Sequence, residues 1–229
     1  MPRLLVHVEG QTEESFVNEV LRDHLVGAGY ESVSARIVGN ARLRQRRGGI
    51  RPWVVVRKDI INHLKQDSGC LATTMVDFYG LPQDGDRAWP GRASAALAPA
   101  SSKAPIVEMA LAADLAGEAG EQLDPARFIP FVVVHEFEGL LFSDCGAFAQ
   151  SIGRRELEPH FRQIREAFAT PEDINDSPDT CPSRRITNLL PGYEKPLLGT
   201  LAALEIGLPR IRSACPHFAE WLERLESLV

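Results

Sequence analysis

Short apolar runs alternate with segments of helical periodicity over the first 140 residues. Three apolar runs predict buried strands, and a polar–apolar alternation predicts a fourth, half-exposed strand: residues 4–8, 70–76, 128–134 and 32–38. Apolar positions at helical spacing predict helices over residues 12–25, 53–66 and 106–123. Because strands that alternate with helices form βαβ units, we expect an α/β fold with a mostly parallel sheet of about four strands.

The strand signal fades after residue 137. Residues 137–151, 154–169, 184–190, 196–206 and 209–227 read mostly as helices. Residues 79–105 are rich in Gly, Pro, Ala and Ser, which is typical of a long loop. We therefore predict an α/β core over residues 1–145 and a helical extension over residues 146–229, packed together as one compact unit.

Composition narrows the class of protein. The 229 residues carry a formal net charge of -6, which argues against a protein that coats nucleic acid by charge alone. No stretch approaches 18 uninterrupted apolar residues, and the opening residues do not read as a signal peptide, so we expect a cytoplasmic protein that is not in a membrane. The four cysteines form no CxxC pair, which disfavours a zinc ribbon or a disulfide framework.

Carboxylates follow the most apolar predicted strands. Glu9 follows the predicted strand over residues 4–8, and Asp77 follows the one over residues 70–76. Glu136 and Glu138 follow the one over residues 128–134. Glu13 lies in the first turn of the helix that comes after Glu9. In an open parallel sheet the strand ends meet at one edge, where ligands bind. Gathered carboxylates repel one another, and the usual remedy is a divalent cation. Oxygen ligands alone favour Mg²⁺ or Mn²⁺.

A second interpretation of these acids is open. Acidic residues are common after strands because they stabilise the N-terminus of the following helix. On that interpretation each carboxylate points to its own helix, and no shared site exists.

Basic residues cluster despite the acidic total. Seven fall within 17 residues: Arg42, Arg44, Arg46, Arg47, Arg51, Arg57 and Lys58. Arginines beside a carboxylate–metal site suit a phosphate-bearing polymer, but a solvated loop and helix face explains them equally well. Arg184 lies in a smaller basic group at a helix start, where it either contacts phosphate or pairs with nearby acids.

Several motifs together resemble known families. The segment Val8-Glu9-Gly10-Gln11-Thr12-Glu13, followed by an amphipathic helix, resembles the opening motif of TOPRIM-type domains. With residues 73–82, 135–138, 175–176 and 181–186, it resembles a TOPRIM-like family known as domain of unknown function 4276. This resemblance spans essentially the whole chain.

The resemblance implies roles for individual acids. In TOPRIM domains the first acid is a catalytic acid/base or a metal ligand, a role that falls on Glu9, and the acid after the third strand binds Mg²⁺, which points to Asp77. TOPRIM domains typically have Asp-x-Asp there, whereas this chain has Asp77-Phe78-Tyr79. That departure removes one ligand and places ordinary topoisomerase or primase chemistry in doubt.

The missing ligand has candidate replacements. Nucleases of the overcoming-lysogenization-defect type carry a further acid four residues after the first, a position that Glu13 matches. Glu136 or Glu138 is a candidate to restore the lost ligand. Two metals held this way would suit phosphodiester hydrolysis.

Two functions from different classes follow. The first is a Mg²⁺- or Mn²⁺-dependent nuclease, or another phosphoryl-transfer enzyme acting on nucleic acid, with Glu9 and Asp77 catalytic and Arg44, Arg47 and Arg184 on substrate phosphate. The alternative is a non-catalytic TOPRIM-like subunit that works beside a separate ATPase, as the resemblance to prokaryotic defence-type systems implies. The chain has no phosphate-binding loop of its own.

Overall fold

A parallel sheet lies at the centre of the protein. The structure, a computed structural model, describes residues 1–38, 50–121, 123–174, 177 and 179–229. Its strands are β1 (Arg3–Val8), β2 (Ser32–Ile37), β3 (Cys70–Asp77), β4 (Phe128–Ile129) and β5 (Val132–Val133). The order is β2-β1-β3-β4, β5 also pairs with β3, and every described pairing is parallel. The predicted mostly parallel α/β sheet is confirmed.

The register brings the strand ends to one edge. Val8 of β1 pairs with Met75 of β3, and Asp77 at the end of β3 pairs with Val133 of β5. Residues that follow these strands therefore emerge side by side, as the positions of the acids in the sequence predicted.

Helices cover both faces of the sheet. A helix begins as α1 (Gln11–Phe16), passes through a π-helical segment (Val17–Leu21) and continues as α2 (Arg22–Ala28). The remaining α-helices are α3 (Trp53–Gln66), α4 (Arg92–Ala95), α5 (Ala100–Ala119), α6 (Cys145–Ser151), α7 (Glu158–Glu166), α8 (Pro182–Leu189), α9 (Lys195–Ile206), α10 (Leu208–Ala214) and α11 (Pro216–Glu226).

Two apolar layers enclose the sheet. Trp53, Trp89 and Leu111 belong to the layer under α3 and α5. The opposite layer joins β1 and α1 to the C-terminal helices. There the Tyr30 hydroxyl donates a hydrogen bond to the Leu225 carbonyl at 2.8 Å, which ties α11 to the chain before β2. The C-terminal helices thus pack on the sheet, while the proposed division at residue 145 stays a prediction.

Proline accounts for one departure from the predicted elements. The apolar run over residues 128–134 forms two short strands, β4 and β5, instead of one. Pro130 lies between them and has no N–H to donate to a neighbouring strand, so the ladder is interrupted there.

A second departure concerns the predicted loop over residues 79–105. It contains α4 and the start of α5, which begins at Ala100 and includes Pro105. Alanine favours helices, but Pro105 and the adjacent serines, Ser101 and Ser102, made the start of α5 resemble a loop. No helix in the described ranges is long and apolar enough to cross a membrane.

Two helices begin with the same sequence signal. Both α8 and α11 have Cys at the N-cap and Pro at the first helical position. Neither cysteine side chain caps its helix. At α11 the amides of His217 and Phe218 instead donate to the two carboxylate oxygens of Glu172, each at 2.9 Å.

A buried histidine predicts a pH-dependent stability. Within β1, His7 is fully buried, with Nδ1 3.3 Å from the Thr73 carbonyl oxygen and Nε2 3.3 Å from His63 Nδ1. Burial, with a smaller contribution from His63, lowers the pKa of His7 from its ordinary 6.5 to about 3. The unfolded chain therefore binds more protons than the folded one below about pH 6.5, and acid weakens the fold.

We predict that His7→Gln gains stability relative to the wild type as the pH falls from about 7 to about 5. The limit is about 1.4 kcal/mol per pH unit for one group. Urea unfolding at several pH values measures the difference, with His160→Gln as the exposed control. An equal pH dependence in His7→Gln and the wild type would contradict the burial argument.

Candidate functional site

Glu9 and Asp77 lie against each other at the carboxyl ends of β1 and β3. The Asp77 backbone amide donates to Glu9 Oε2 at 3.3 Å. The turn after β3 passes close to the same carboxylate, because a Cβ placed on Gly80 would lie 2.6 Å from Glu9 Oε2. A side chain at position 80 would therefore require the Glu9 carboxylate to move from its present position.

A strained turn brings the third strand end to Asp77. His135 follows β5 with a φ of 67°, a left-handed conformation that is unusual for a non-glycine residue, and its side chain is buried. The chain then turns back, so that the Phe137 amide donates to Asp77 Oδ1 at 2.8 Å. Glu138 follows directly and is 0% exposed. The turn therefore fixes one oxygen of Asp77 and buries a second carboxylate near it.

A lysine from the C-terminal region joins these acids. Lys195, the first residue of α9, places Nζ 3.2 Å from Asp77 Oδ2 and 2.9 Å from Glu138 Oε2. The three residues come from three separate parts of the sequence. We call Glu9, Asp77, Glu138 and Lys195 the strand-end cluster.

Burial and mutual repulsion disfavour the ionised acids of the strand-end cluster. Burial raises the pKa of Glu9 to about 7, and Glu13 adds to the rise while Lys195 opposes it. Burial also raises the pKa of Asp77 and of Glu138, again against the attraction of Lys195. Burial alone would lower the pKa of Lys195, but Asp77 and Glu138 hold it well above its ordinary value. The lysine is therefore charged at neutral pH.

The other two predicted acidic ligands have backbone partners. Glu13 is 2% exposed, and its Oε2 accepts a hydrogen bond from the Gly10 amide at 3.0 Å. Glu136 accepts from the Ser183 amide at 2.8 Å and from the Ser183 hydroxyl at 3.0 Å, at the start of α8. Glu136 thus accepts hydrogen bonds at the start of α8, as Glu172 does at the start of α11. The role of Glu136 as a metal ligand stays a prediction.

The carboxylate oxygens of the strand-end cluster are the type of ligand that a hard divalent cation prefers. Three carboxylates supply oxygen ligands, and Glu138 Oε1 is buried with no hydrogen-bond partner among the described residues. The geometry is that of an ion pair, because Lys195 lies between two of the acids. Within the described ranges, no three His, Cys, Asp or Glu side chains are placed to hold a metal ion.

The predicted phosphate-binding arginines are only partly described. Arg44 and Arg47, with most of their basic segment, lie outside the described residues, as do Asn175 and Asp176. Arg184 is exposed in the first turn of α8, next to the serine that Glu136 binds. Two described members of the basic segment have acidic partners, Arg51 with Asp59 at 2.9 Å and Arg57 with Asp114 at 2.7 Å.

Sequence reasoning missed the roles of Lys195 and Gly80. Lys195 lies 118 residues from Asp77, and no local pattern connects the two. Electrostatics was the one signal that could have found Lys195. Several acids expected at one edge of the sheet require a cation, and a lysine of the chain itself can provide that positive charge.

We predict that Glu136→Ala lowers the free energy of unfolding by about 1–2 kcal/mol in the absence of metal, because the start of α8 loses its acceptor. Glu172→Ala should cost a similar amount at α11, and it serves as the comparison. Chemical denaturation in EDTA measures both. A Glu136→Ala variant as stable as the wild type would remove the capping role and favour the ligand interpretation.

We predict that Glu9→Gln gains stability relative to the wild type as the pH rises from about 5 to about 8 in EDTA. A carboxyl whose folded pKa of about 7 exceeds its ordinary 4.5 releases its proton more readily when unfolded, so the wild type loses stability across this window. The expected gain is about 1–3 kcal/mol. Thermal unfolding with Glu19→Gln as an exposed control tests it, and a pH-independent difference would contradict it.

Comparison with known proteins identifies the family of this chain but not its activity. A family model described as "Domain of unknown function (DUF4276)" matches residues 8–226. No curated protein and no solved structure matches the chain. The relationship to TOPRIM domains stays a prediction. Because the match covers nearly the whole chain, including every residue of the strand-end cluster, this protein belongs to the DUF4276 family.

Proposed function

We propose that this protein is a divalent-metal-dependent nuclease, or another phosphoryl-transfer enzyme, that acts on nucleic acid. The observation that carries the proposal is the convergence of Glu9, Asp77 and Glu138 at one edge of a parallel sheet, the usual place for a ligand site in this architecture. Carboxylates buried together at such a site are a common sign of function.

The residues of the strand-end cluster take different roles in this proposal. Asp77 and Glu138 would hold Mg²⁺ or Mn²⁺, with Glu9 and Glu13 in support. A bound divalent cation supplies charge stabilisation to a reacting phosphodiester. Glu9 accepts a proton at its carboxylate, because a pKa of about 7 suits a general base at neutral pH. The Phe137 amide keeps Asp77 oriented throughout.

The substrate class rests on charge. A phosphate-bearing polymer complements the exposed Arg184 and the basic segment that contains Arg44 and Arg47. Because the net charge of the chain is negative, nucleic acid would bind at a local basic surface and not over the whole protein.

The contact of Lys195 with two of the acids favours a second candidate. An ammonium that already neutralises part of the strand-end cluster stabilises it without metal, as a non-catalytic subunit would require. In that case the chain is an interaction module that works beside a separate ATPase.

Cleavage assays separate the two candidates. We predict that the wild type cleaves labelled DNA or RNA with Mg²⁺ or Mn²⁺, that EDTA abolishes cleavage, and that Asp77→Asn and Glu138→Gln each lower the rate by about 100-fold or more. The matched control is Glu19→Gln, which also replaces a carboxylate with an amide, but at an exposed position of the π-helical segment.

Two results would contradict the nuclease. One is the absence of metal-dependent cleavage on single- and double-stranded DNA and RNA. The other is cleavage that survives Asp77→Asn unchanged, which would indicate a contaminating enzyme. Copurification with an ATPase in the first case would support the interaction module.

A further inference from the structure

The partners in the strand-end cluster differ in their freedom to move. The side chain of Lys195 is 37% exposed, whereas those of Asp77 and Glu138 are 8% and 0% exposed. Asp77 is also fixed by the Phe137 amide at its other oxygen. The acids are therefore held by the fold, and Lys195 is the partner whose side chain has surface in contact with solvent.

The position of Lys195 at the start of α9 does not itself favour a positive charge, so its ammonium stays there because of the carboxylates that it contacts. It is the first residue of α9, where the unpaired backbone amides carry partial positive charge. A cation is unfavourable at this end of a helix. Lysine also carries its charge on a flexible, strongly hydrated chain, unlike the planar fork of arginine. Without the carboxylates, the ammonium would gain by moving into water.

One ammonium does not balance the charge of this region. Four carboxylates act on Lys195 or on one another here, namely Glu9, Glu13, Asp77 and Glu138. A divalent cation carries twice the charge of the ammonium and accepts more oxygen ligands. A divalent cation bound to the same two oxygens, Asp77 Oδ2 and Glu138 Oε2, would lie close to the ammonium, and the two cations would repel each other.

We propose that Lys195 is a built-in competitor for the metal, whose ammonium occupies the shared oxygens of Asp77 and Glu138 and must swing toward solvent before a divalent cation binds. This inference rests on the proposed function for the identity of the ligand. It explains why the acids converge without forming a ready-made metal cage: they are arranged around a lysine.

Calorimetric titration of Mg²⁺ and Mn²⁺ alone tests the competition. We expect Lys195→Gln to bind metal at least tenfold more tightly than the wild type, because the competing charge is gone. Lys195→Arg should bind no more tightly than the wild type, since the guanidinium keeps the charge and pairs well with carboxylates. Lys65→Gln changes the net charge equally at an exposed position on α3 and should match the wild type. Equal, weaker or absent binding in folded Lys195→Gln overturns the proposal.

A second measurement uses the wild-type chain and does not depend on a variant that folds. Acetylation by an amine-reactive reagent, followed by mass spectrometry, reports the exposure of each lysine amine. With saturating Mn²⁺, we expect Lys195 to react at least fivefold faster than in EDTA, while Lys65 is unchanged. Unchanged or slower reaction of Lys195 overturns the proposal.

These readouts separate the inference from the proposed function. Tighter metal binding by Lys195→Gln in a chain that cleaves no nucleic acid supports the competition and contradicts the nuclease. Metal-dependent cleavage by a wild type whose metal affinity equals that of Lys195→Gln supports the nuclease and overturns the competition.

Discussion

Carboxylates buried at the edge of the sheet need an opposite charge, and that need connects distant parts of the chain. Asp77 ends β3 and Glu138 lies in the turn that follows β5, whereas Lys195 comes from α9, more than 50 residues later. Breaking a buried ion pair leaves an uncompensated charge, which is costly. The C-terminal helices therefore complete the electrostatics of the sheet as well as its apolar layer.

Close packing supports the same connection. A Cβ placed on Gly199 of α9 would lie 3.3 Å from the Thr12 methyl of α1 and 3.8 Å from the Phe137 ring. The absence of a side chain at Gly199 lets α9 approach the Thr12 methyl closely, while the Phe137 ring lies at an ordinary contact distance. Thr12 and Phe137 each neighbour an acid of this region in the sequence, Glu13 and Glu138, so α9 packs beside the segments that carry these carboxylates.

Elements with strong local signals were predictable from the sequence, and contacts between distant residues were not. The helix over residues 53–66 and the strand ending at Asp77 were correct because periodicity and composition agreed there. Pro130 broke a predicted strand, and the Ala-rich start of α5 read as loop. The meeting of Glu9 with Asp77 followed from the rule that parallel strands end at one edge. The pairing of Lys195 with Asp77, and of Glu136 with Ser183, depends on tertiary packing that no local pattern encodes.

The interruption at Pro130 also bears on how the protein avoids self-association. With the order β2-β1-β3-β4, one side of the sheet ends in β4 and β5, which are two residues long each. An unbroken apolar edge strand offers a continuous row of amides and carbonyls to another chain. A proline in the middle of that row removes a donor and leaves segments too short to template a foreign strand. The fold also covers this edge, because β4 and β5 are buried and the Val132 amide donates to Glu108 Oε1 of α5 at 2.8 Å, so the break and the covering together withhold it from another chain.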